Sequence, residues 1–230
     1  MIELIVHGAS GRMGSRICAR AEQDERVTVV ARSTRRVSAV APLEQQKTPS
    51  CDVVIDFSSD AGVLRAIELA ERAGAALLVG TTGLSEATKH RLEEVATKRA
   101  VMVAANTSRG VVVMRRLLKH AVEALGASYQ IDLVEHHHSA KLDAPSGTAL
   151  CLQDDINASR EGALVDERIH SIRAGDLVGE HTVQFAGPGE RLQITHEAIS
   201  RDVFAAGAVD AAVFLAAQGP GLHPFEAVLG

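Results

Sequence analysis

The chain opens with a strand that runs directly into a glycine turn and a helix, and this arrangement narrows the folds open to it. Ile2 to Val6 is a short apolar run, Gly8-Ala9-Ser10-Gly11-Arg12-Met13-Gly14 follows at once, and Met13 to Glu22 reads as a helix. A short apolar run closed by a glycine turn fits a buried parallel strand. Glycines at such a turn allow close backbone approach, and the N-terminus of the following helix can hold a pyrophosphate. The spacing is GxxGxxG rather than GxGxxG, and an ordinary strand–helix turn can also be glycine-rich. Its place between a strand and a helix makes it a dinucleotide fingerprint.

The same unit then recurs. Val27 to Ala31, Asp52 to Phe57, Ala75 to Val79 and Val101 to Ala104 read as strands. Helices from Asp60 to Ala73 and from Ser85 to Arg99 lie between them, the second capped by Ser85, while Arg32 to Pro49 is polar and irregular. Strands alternating with helices over a hundred residues predict an α/β, Rossmann-type doubly wound parallel sheet. After about residue 108 the pattern changes. A helix is predicted from Gly110 to Leu125, a strand from Tyr129 to Val134 and a helix from Ser146 to about Ser159. Three β-type runs follow, Ile169 to Arg173, His181 to Phe185 and Leu192 to His196, separated by turn residues at Gly175 and at Gly187-Pro188-Gly189. This is an α+β block with an open or mixed sheet. Asp202 to Ala217 is an Ala-rich helix whose pattern suits either domain.

Composition removes several classes of function. With 230 residues the chain can build one large domain or two small ones around a real core. Five Phe, one Tyr and no Trp leave little for stacking on bases, and a net charge of −5 argues against nucleic acid. No apolar run reaches the length of a membrane span, and the first residues already form a strand rather than a signal peptide. Cys18, Cys51 and Cys151 are odd in number and widely spaced, which fits reduced packing thiols in a cytoplasmic protein.

The second strand ends Val30-Ala31-Arg32-Ser33-Thr34-Arg35-Arg36, without the acid that would bind a ribose 2′-hydroxyl. Arginines suit a 2′-phosphate instead, so NADPH is the expected cofactor, with NADH as the alternative and Arg32 as the nearest contact. A solvated basic loop would look the same. Gly80-Thr81-Thr82-Gly83 and Ala104-Ala105-Asn106-Thr107 stand at the ends of the fourth and fifth strands, where small polar residues would admit the nicotinamide ribose. Phe57, at the end of the third strand, fits either a cofactor contact or the core.

Glu135-His136-His137-His138-Ser139-Ala140-Lys141-Leu142-Asp143-Ala144-Pro145-Ser146-Gly147-Thr148-Ala149 places three imidazoles, a lysine and two further acids before a helix start. Ser146 or Thr148 can cap that helix, and its N-terminus favours an anion. The segment reads as a carboxylate or phosphate cradle with acid–base groups beside it. Consecutive histidines alternate faces on a strand and cannot all meet one ion, so no metal is expected. Glu135 and Asp143 are expected to orient their neighbours.

That run resembles the signature of the 4-hydroxy-tetrahydrodipicolinate reductase (dihydrodipicolinate reductase) family. The opening glycine turn, Asp56-Phe57-Ser58, Gly80 to Gly83, Ala104-Ala105-Asn106 and Ala198-Ile199-Ser200-Arg201 match it in the family's order. The resemblance implies an NAD(P)H-dependent reduction of 4-hydroxy-tetrahydrodipicolinate in lysine and diaminopimelate biosynthesis, with hydride to C4 of a ring bearing two carboxylates. It implies acid–base work by His137, proton donation and a carboxylate contact by Lys141, and substrate contacts by His138, Gly147 and Thr148. Either His137 or Lys141 could give the proton. On the cofactor side it implies Gly8, Ala9, Ser10, Gly11, Arg12, Met13, Phe57, Gly80, Thr81, Thr82, Ala104, Ala105, Asn106 and Arg201, to which the strand ends add Arg32 and Thr107. It also implies that residues 1–108 with 202–230 form the dinucleotide-binding domain. Residues 109–201 would bind substrate and build a homotetramer. Asp132-Leu133 departs mildly from the family's usual Glu followed by Ile or Val, and the stretch after the second strand looks trimmed. A different amino-acid dehydrogenase, or a sensor that binds NADP without turnover, would explain the glycine turn but not the run from Lys141 to Ala149.

Overall fold

The computed structural model describes residues 1–33 and 49–230, so Arg35 and Arg36 lie outside the described residues. In chain order the elements are β1 (Ile2–His7), α1 (Arg12–Ala21), β2 (Val27–Ser33), β3 (Val53–Asp56), α2 (Asp60–Ala73), β4 (Ala76–Val79), α3 (Glu86–Ala96), β5 (Ala100–Val103), α4 (Arg109–Leu125), β6 (Gln130–His137), α5 (Gly147–Ser159), β7 (Ile169–Arg173), β8 (Gly179–Gly187), β9 (Glu190–Ala198), α6 (Asp202–Leu215) and β10 (Gly221–Leu222). They fall into two compact units, Met1–Thr107 with Asp202–Gly230, and Ser108–Arg201. Ser108 belongs to the second unit, one residue earlier than the sequence pattern placed the boundary.

The first unit holds a six-stranded, wholly parallel sheet in the order β10-β5-β4-β3-β1-β2. Its inner strands are apolar without alternation because both faces are covered. Ile5, Val54, Leu77 and Val79 pack under α2 and α3, and the neighbouring residues Leu4, Val53, Ile55 and Leu78 are buried on the other face. Helix α6 belongs to this unit. Ala205, Ala208, Ala211 and Ala212 are fully buried, and a Cβ on Gly207 would stand 1.7 Å from the Thr107 carbonyl oxygen. Small residues thus let the helix lie close to its neighbours. The sixth strand, β10, is two residues long and offers no periodicity for a sequence to reveal. The chain steps from β1 outward to β2 and then returns to the far side of β1 as β3, which makes the carboxyl ends of β1 and β3 the switch point where ligands bind in such sheets.

In the second unit a four-stranded sheet runs β7-β6-β8-β9, with β6 and β7 parallel and the other two pairs antiparallel. The sheet is therefore mixed. One face packs on α4 and α5, where Ile131, Leu133, Val183 and Phe185 meet Met114, Leu118, Leu152 and Ile156. Strand β6 runs three residues beyond its sequence-predicted end at Val134. Apolar residues stop there, but the two-residue alternation of burial continues through Glu135 and His137. Those two polar side chains therefore lie on the core face, in line with Ile131 and Leu133.

Candidate active site

At the carboxyl end of β1, Gly8 has φ +78°, and a Cβ there would stand 2.4 Å from the Phe57 carbonyl oxygen. A Cβ on Gly14 would meet the Gly8 carbonyl oxygen at 2.2 Å. Both glycines are thus required by close backbone approach. The amides of Gly8 and Ala9 donate to the Ser33 carbonyl, which ties the turn to the end of β2. Ala9 is buried, Met13 is half-buried, and Ser10, Gly11 and Arg12 are exposed. Helices α3, α4 and α5 each have a serine whose hydroxyl accepts an amide of the first turn. Gly11 at the start of α1 gives no such cap, so that helix end stays open to an anion.

Arg32 is exposed and makes an ion pair with Glu22. The Phe57 ring covers Gly80, where a Cβ would come within 2.1 Å of Cζ. Thr81 is buried; its hydroxyl donates to Asp56 Oδ2 at 2.5 Å and accepts from the Ser58 amide at 2.8 Å. Its side chain is therefore spent inside the protein, and its backbone is what remains for a ligand. Thr82 and Ala105 are exposed, Asn106 is half-buried and Ala104 is buried. Thr107 is buried, with its hydroxyl donating to the Phe204 carbonyl. Arg201 is half-buried at the end of the second unit.

Beneath this turn lies a polar group that sequence reasoning gave no role. His7 Nδ1 is 2.9 Å from the Ser33 hydroxyl, and its Nε2 is 4.0 Å from Asp56 Oδ1. Burial lowers the His7 pKa and raises that of Asp56, while hydrogen bonds from Ser58 and Thr81 favour the Asp56 carboxylate. The signal was a histidine and an aspartate, each following three consecutive buried aliphatic residues at a strand end.

The second site is built on β6. Glu135 is fully buried, and both of its oxygens accept from Arg173, at 2.8 and 2.6 Å. Oε1 also accepts the Ser146 amide at 3.2 Å, and Oε2 lies 2.5 Å from His137 Nδ1. Burial pushes the Glu135 carboxyl up, but Arg173, Ser171 and His137 outweigh it and bring its pKa down to about 2. Burial also lowers the pKa of His137, and Glu135 offsets only part of that. A neutral His137 beside an ionised Glu135 must carry its proton on Nδ1, which leaves the Nε2 lone pair for chemistry.

The strand then turns into the loop that holds Lys141. The His138 amide donates to the Leu177 carbonyl, and the Lys141 amide to the His138 carbonyl. Lys141 Nζ donates to Asp143 Oδ2 at 2.8 Å, and Arg173 reaches the Asp143 carbonyl as well as Glu135. Ser146, rather than Thr148, caps α5; its hydroxyl accepts the Ala149 amide at 3.1 Å. The first turn of α5, with Gly147 and Thr148, is in this way fastened to the carboxylate that orients His137. His138 is half-buried and His136 lies on the opposite face of β6.

The ligating atoms of Glu135, His137 and His181 lie within 4.8 Å of one another. Arg173 holds both Glu135 oxygens, so a guanidinium already supplies the positive charge a metal would bring. Arg173, Ser146 and His181 were not singled out as orienting groups by sequence. Only His181 left a faint signal, a polar residue prolonging the buried face of an alternating strand before Val183 and Phe185.

A glycine-turn parallel sheet, in one chain with a mixed-sheet unit where a buried carboxylate holds both a histidine and a helix start, is the architecture of a two-domain nicotinamide-dependent reductase. Residues 2–107 match the family "Dihydrodipicolinate reductase, N-terminus" and residues 110–229 match "Dihydrodipicolinate reductase, C-terminus". The chain belongs to the dihydrodipicolinate reductase family. It is 43% identical over 232 residues to the 4-hydroxy-tetrahydrodipicolinate reductase of Stenotrophomonas maltophilia (strain R551-3), covering 96% of this chain and 95% of that one. It is 37% identical over 265 residues to the protein of the same name from Syntrophotalea carbinolica, covering 100% and 99%. A dipicolinate-bound dihydrodipicolinate reductase from Paenisporosarcina sp. TG-14 shares the fold, with TM-score 0.73, 21% identity and 97% of each chain covered.

Proposed function

We infer that the chain reduces 4-hydroxy-2,3,4,5-tetrahydrodipicolinate to tetrahydrodipicolinate with a nicotinamide dinucleotide, in lysine and diaminopimelate biosynthesis. The observation that carries this reading is the fastening of His137 and the start of α5 to one buried carboxylate, Glu135, in a chain whose two halves both match the family.

The first unit suits the cofactor. Gly8 and Gly14 keep the turn tight, because a Cβ at either would strike backbone, and the start of α1 has no side-chain cap. Gly8 to Met13 would hold the pyrophosphate, and Phe57, Gly80 to Thr82 and Ala104 to Thr107 the nicotinamide half; Arg201 is a further proposed cofactor contact. Arg32 would read a 2′-phosphate, which favours NADPH over NADH. The 4-hydroxyl is lost as water to give a conjugated enamine–imine ring, and a bound nicotinamide would supply the hydride to C4 of that ring.

The chain's own residues do the rest. One substrate carboxylate lies at Gly147 and Thr148, where the helix start offers amides and a positive dipole end. Lys141 and His138 add charge-assisted contacts. Burial favours the neutral form of His137. Negative charge arriving with the dicarboxylate raises the proton affinity of His137. The proton required by the reduced ring then comes from the His137/Lys141 pair, with Glu135 keeping the imidazole oriented. At Glu135 the Arg173 guanidinium supplies the positive charge. The open sheet face, with Asp132, His136, Glu180 and Gln184 half-buried, would join copies into a homotetramer. The enzyme would work in the cytoplasm, where the pathway's other small substrates are.

The test is oxidation of NADPH and NADH in parallel, with substrate made in place from pyruvate and aspartate semialdehyde by the preceding synthase. Synthase-dependent oxidation is expected, faster with NADPH. No oxidation of either dinucleotide by folded protein would reject the activity.

A further inference from the structure

We propose that His181 is a positioning residue for this reaction, holding the substrate-carboxylate cradle through Ser146 and the acid–base imidazole through direct ring contact. The proposal rests on the reading given above and adds a residue to it.

His181 sits on β8, 44 positions from His137 in sequence, and is 3% exposed. Its Nε2 is 2.9 Å from the Ser146 hydroxyl. Ser146 is itself buried, and its Oγ already accepts the Ala149 amide that begins α5. A serine hydroxyl has one proton to give. With the amide on one lone pair, that proton goes to Nε2 of a neutral His181. The cap is then satisfied from both sides, and the first turn of α5 is fixed to β8 as well as to Glu135. The same imidazole meets His137 edge-on, with ring centroids 5.1 Å apart and planes at 75°. One side chain thus sets the distance between the anion cradle and the proton-handling ring.

Burial is what keeps His181 neutral, with a pKa near 3. The charged and titratable groups around it act in both directions. His137 and Glu135 face it from β6, His196 from β9 and Lys141 from the loop; Glu135 opposes the shift and the other three support it.

The fold supplies its own control. His196 pairs directly with His181 across the β8–β9 ladder. Its Nε2 is 3.0 Å from the Ser108 hydroxyl, which accepts the Val111 amide and caps α4. Each histidine therefore anchors a capping serine. Only His181 touches His137 and the start of α5. A purely structural role would make the two histidines behave alike, whereas a positioning role separates them.

The experiment measures dipicolinate affinity by calorimetry, dinucleotide affinity by fluorescence, and steady-state kinetics. His181→Phe should weaken dipicolinate about tenfold and raise KM for substrate, and His181→Gln should recover to within about threefold because it can still accept the serine proton. Dinucleotide affinity should not move. Ser146→Ala should match His181→Phe, and the double variant should be no worse than either single one. His196→Phe should lose thermal stability yet keep dipicolinate affinity. Unchanged dipicolinate affinity in both His181→Phe and Ser146→Ala overturns the proposal. So does a His196→Phe loss of affinity equal to that of His181→Phe. Ser146→Ala decides the matter alone if His181→Phe does not fold. Wild-type protein that binds no dipicolinate and oxidises no dinucleotide overturns the reductase reading and this inference with it.

Discussion

Oε2 of Glu135 stands 2.5 Å from Nδ1 of His137, two residues along the same strand, and Arg173 holds both oxygens of that carboxylate. A spacing of two places both side chains on one face of a strand. The pair is thus a local consequence of β6 continuing past its apolar residues. Its chemical effect is a single imidazole tautomer, with the proton on Nδ1 and the lone pair on Nε2.

Glu135→Gln should remove that control. The amide can still touch His137, but the charge that favours one tautomer and stabilises a protonated ring is gone. Turnover should fall about 10- to 100-fold, as expected when an oriented acid–base group loses its geometry. Arg173 would also lose its buried anionic partner, so stability should drop by about 3 kcal/mol. Steady-state kinetics and urea unfolding measure the two effects. Turnover within twofold of wild type would remove Glu135 from the mechanism.

Gly179→Ala tests the same geometry sterically. A Cβ at Gly179 would stand 2.8 Å from His137 Nε2. Backbone on one side and Glu135 on the other leave the ring to swing. Turnover should fall about tenfold or more, because displacements of an ångström have that effect. Dinucleotide affinity should be unchanged, as measured by fluorescence titration. An intact turnover would mean that the ring accommodates the methyl group without leaving its working position.

Much of this was legible in the sequence because the informative signals are local. The glycine turn after β1, the serine caps of α3 and α5 and the run from Glu135 to Thr148 each lie within a few residues. Arg173 and His181 had to come from β7 and β8, and neither has a local neighbour to mark it. Strand alternation did hold a clue, since His181, Val183 and Phe185 share a buried face. Reading the period through polar residues, rather than stopping where apolar ones end, would also have extended β6 to His137. Strand β10 had no such clue, being only Gly221–Leu222.

Lys141→Ala should lower turnover and weaken substrate together. Its ammonium is held by Asp143 and stands in the loop before the α5 start. Removing one charge-assisted contact should raise KM about tenfold, with turnover reduced in addition because a proton source is lost. Cofactor affinity should stay as it is. A variant that lost only dinucleotide affinity would place Lys141 in the wrong site.

Arg32 offers a test of cofactor choice. It pairs with Glu22, and both side chains are more than half exposed. Exposed pairs contribute little to stability, so the guanidinium can exchange Glu22 for a phosphate. Arg32→Ala should raise KM for NADPH about tenfold and leave NADH nearly unaltered. Glu22→Ala, which frees the guanidinium, should improve NADPH about twofold to threefold. Equal changes for both dinucleotides would show that Arg32 does not read the 2′-phosphate.

Three buried or half-buried histidines of the second unit make its stability depend on pH. His137, His181 and His196 all have pKa values lowered by burial, His181 to about 3. The unfolded chain, with ordinary histidines near pH 6.5, therefore binds more protons than the folded one once pH falls below that value. Stability is fully present above about pH 6.5 and declines as pH drops. At about 1.4 kcal/mol per pH unit, His181 alone should remove about 2 kcal/mol between pH 6.5 and 5. Glu135, held near 2, adds a loss in the same direction below its ordinary range. In the first unit His7 acts likewise and Asp56 acts oppositely, so the variant comparison is what isolates His181. Urea midpoints at pH 7.5, 6 and 5 should fall less steeply in His181→Phe than in wild type. The same slope in both would mean that His181 takes up protons in the folded protein as readily as in the unfolded one, and its neutral bond to Ser146 would then be wrong.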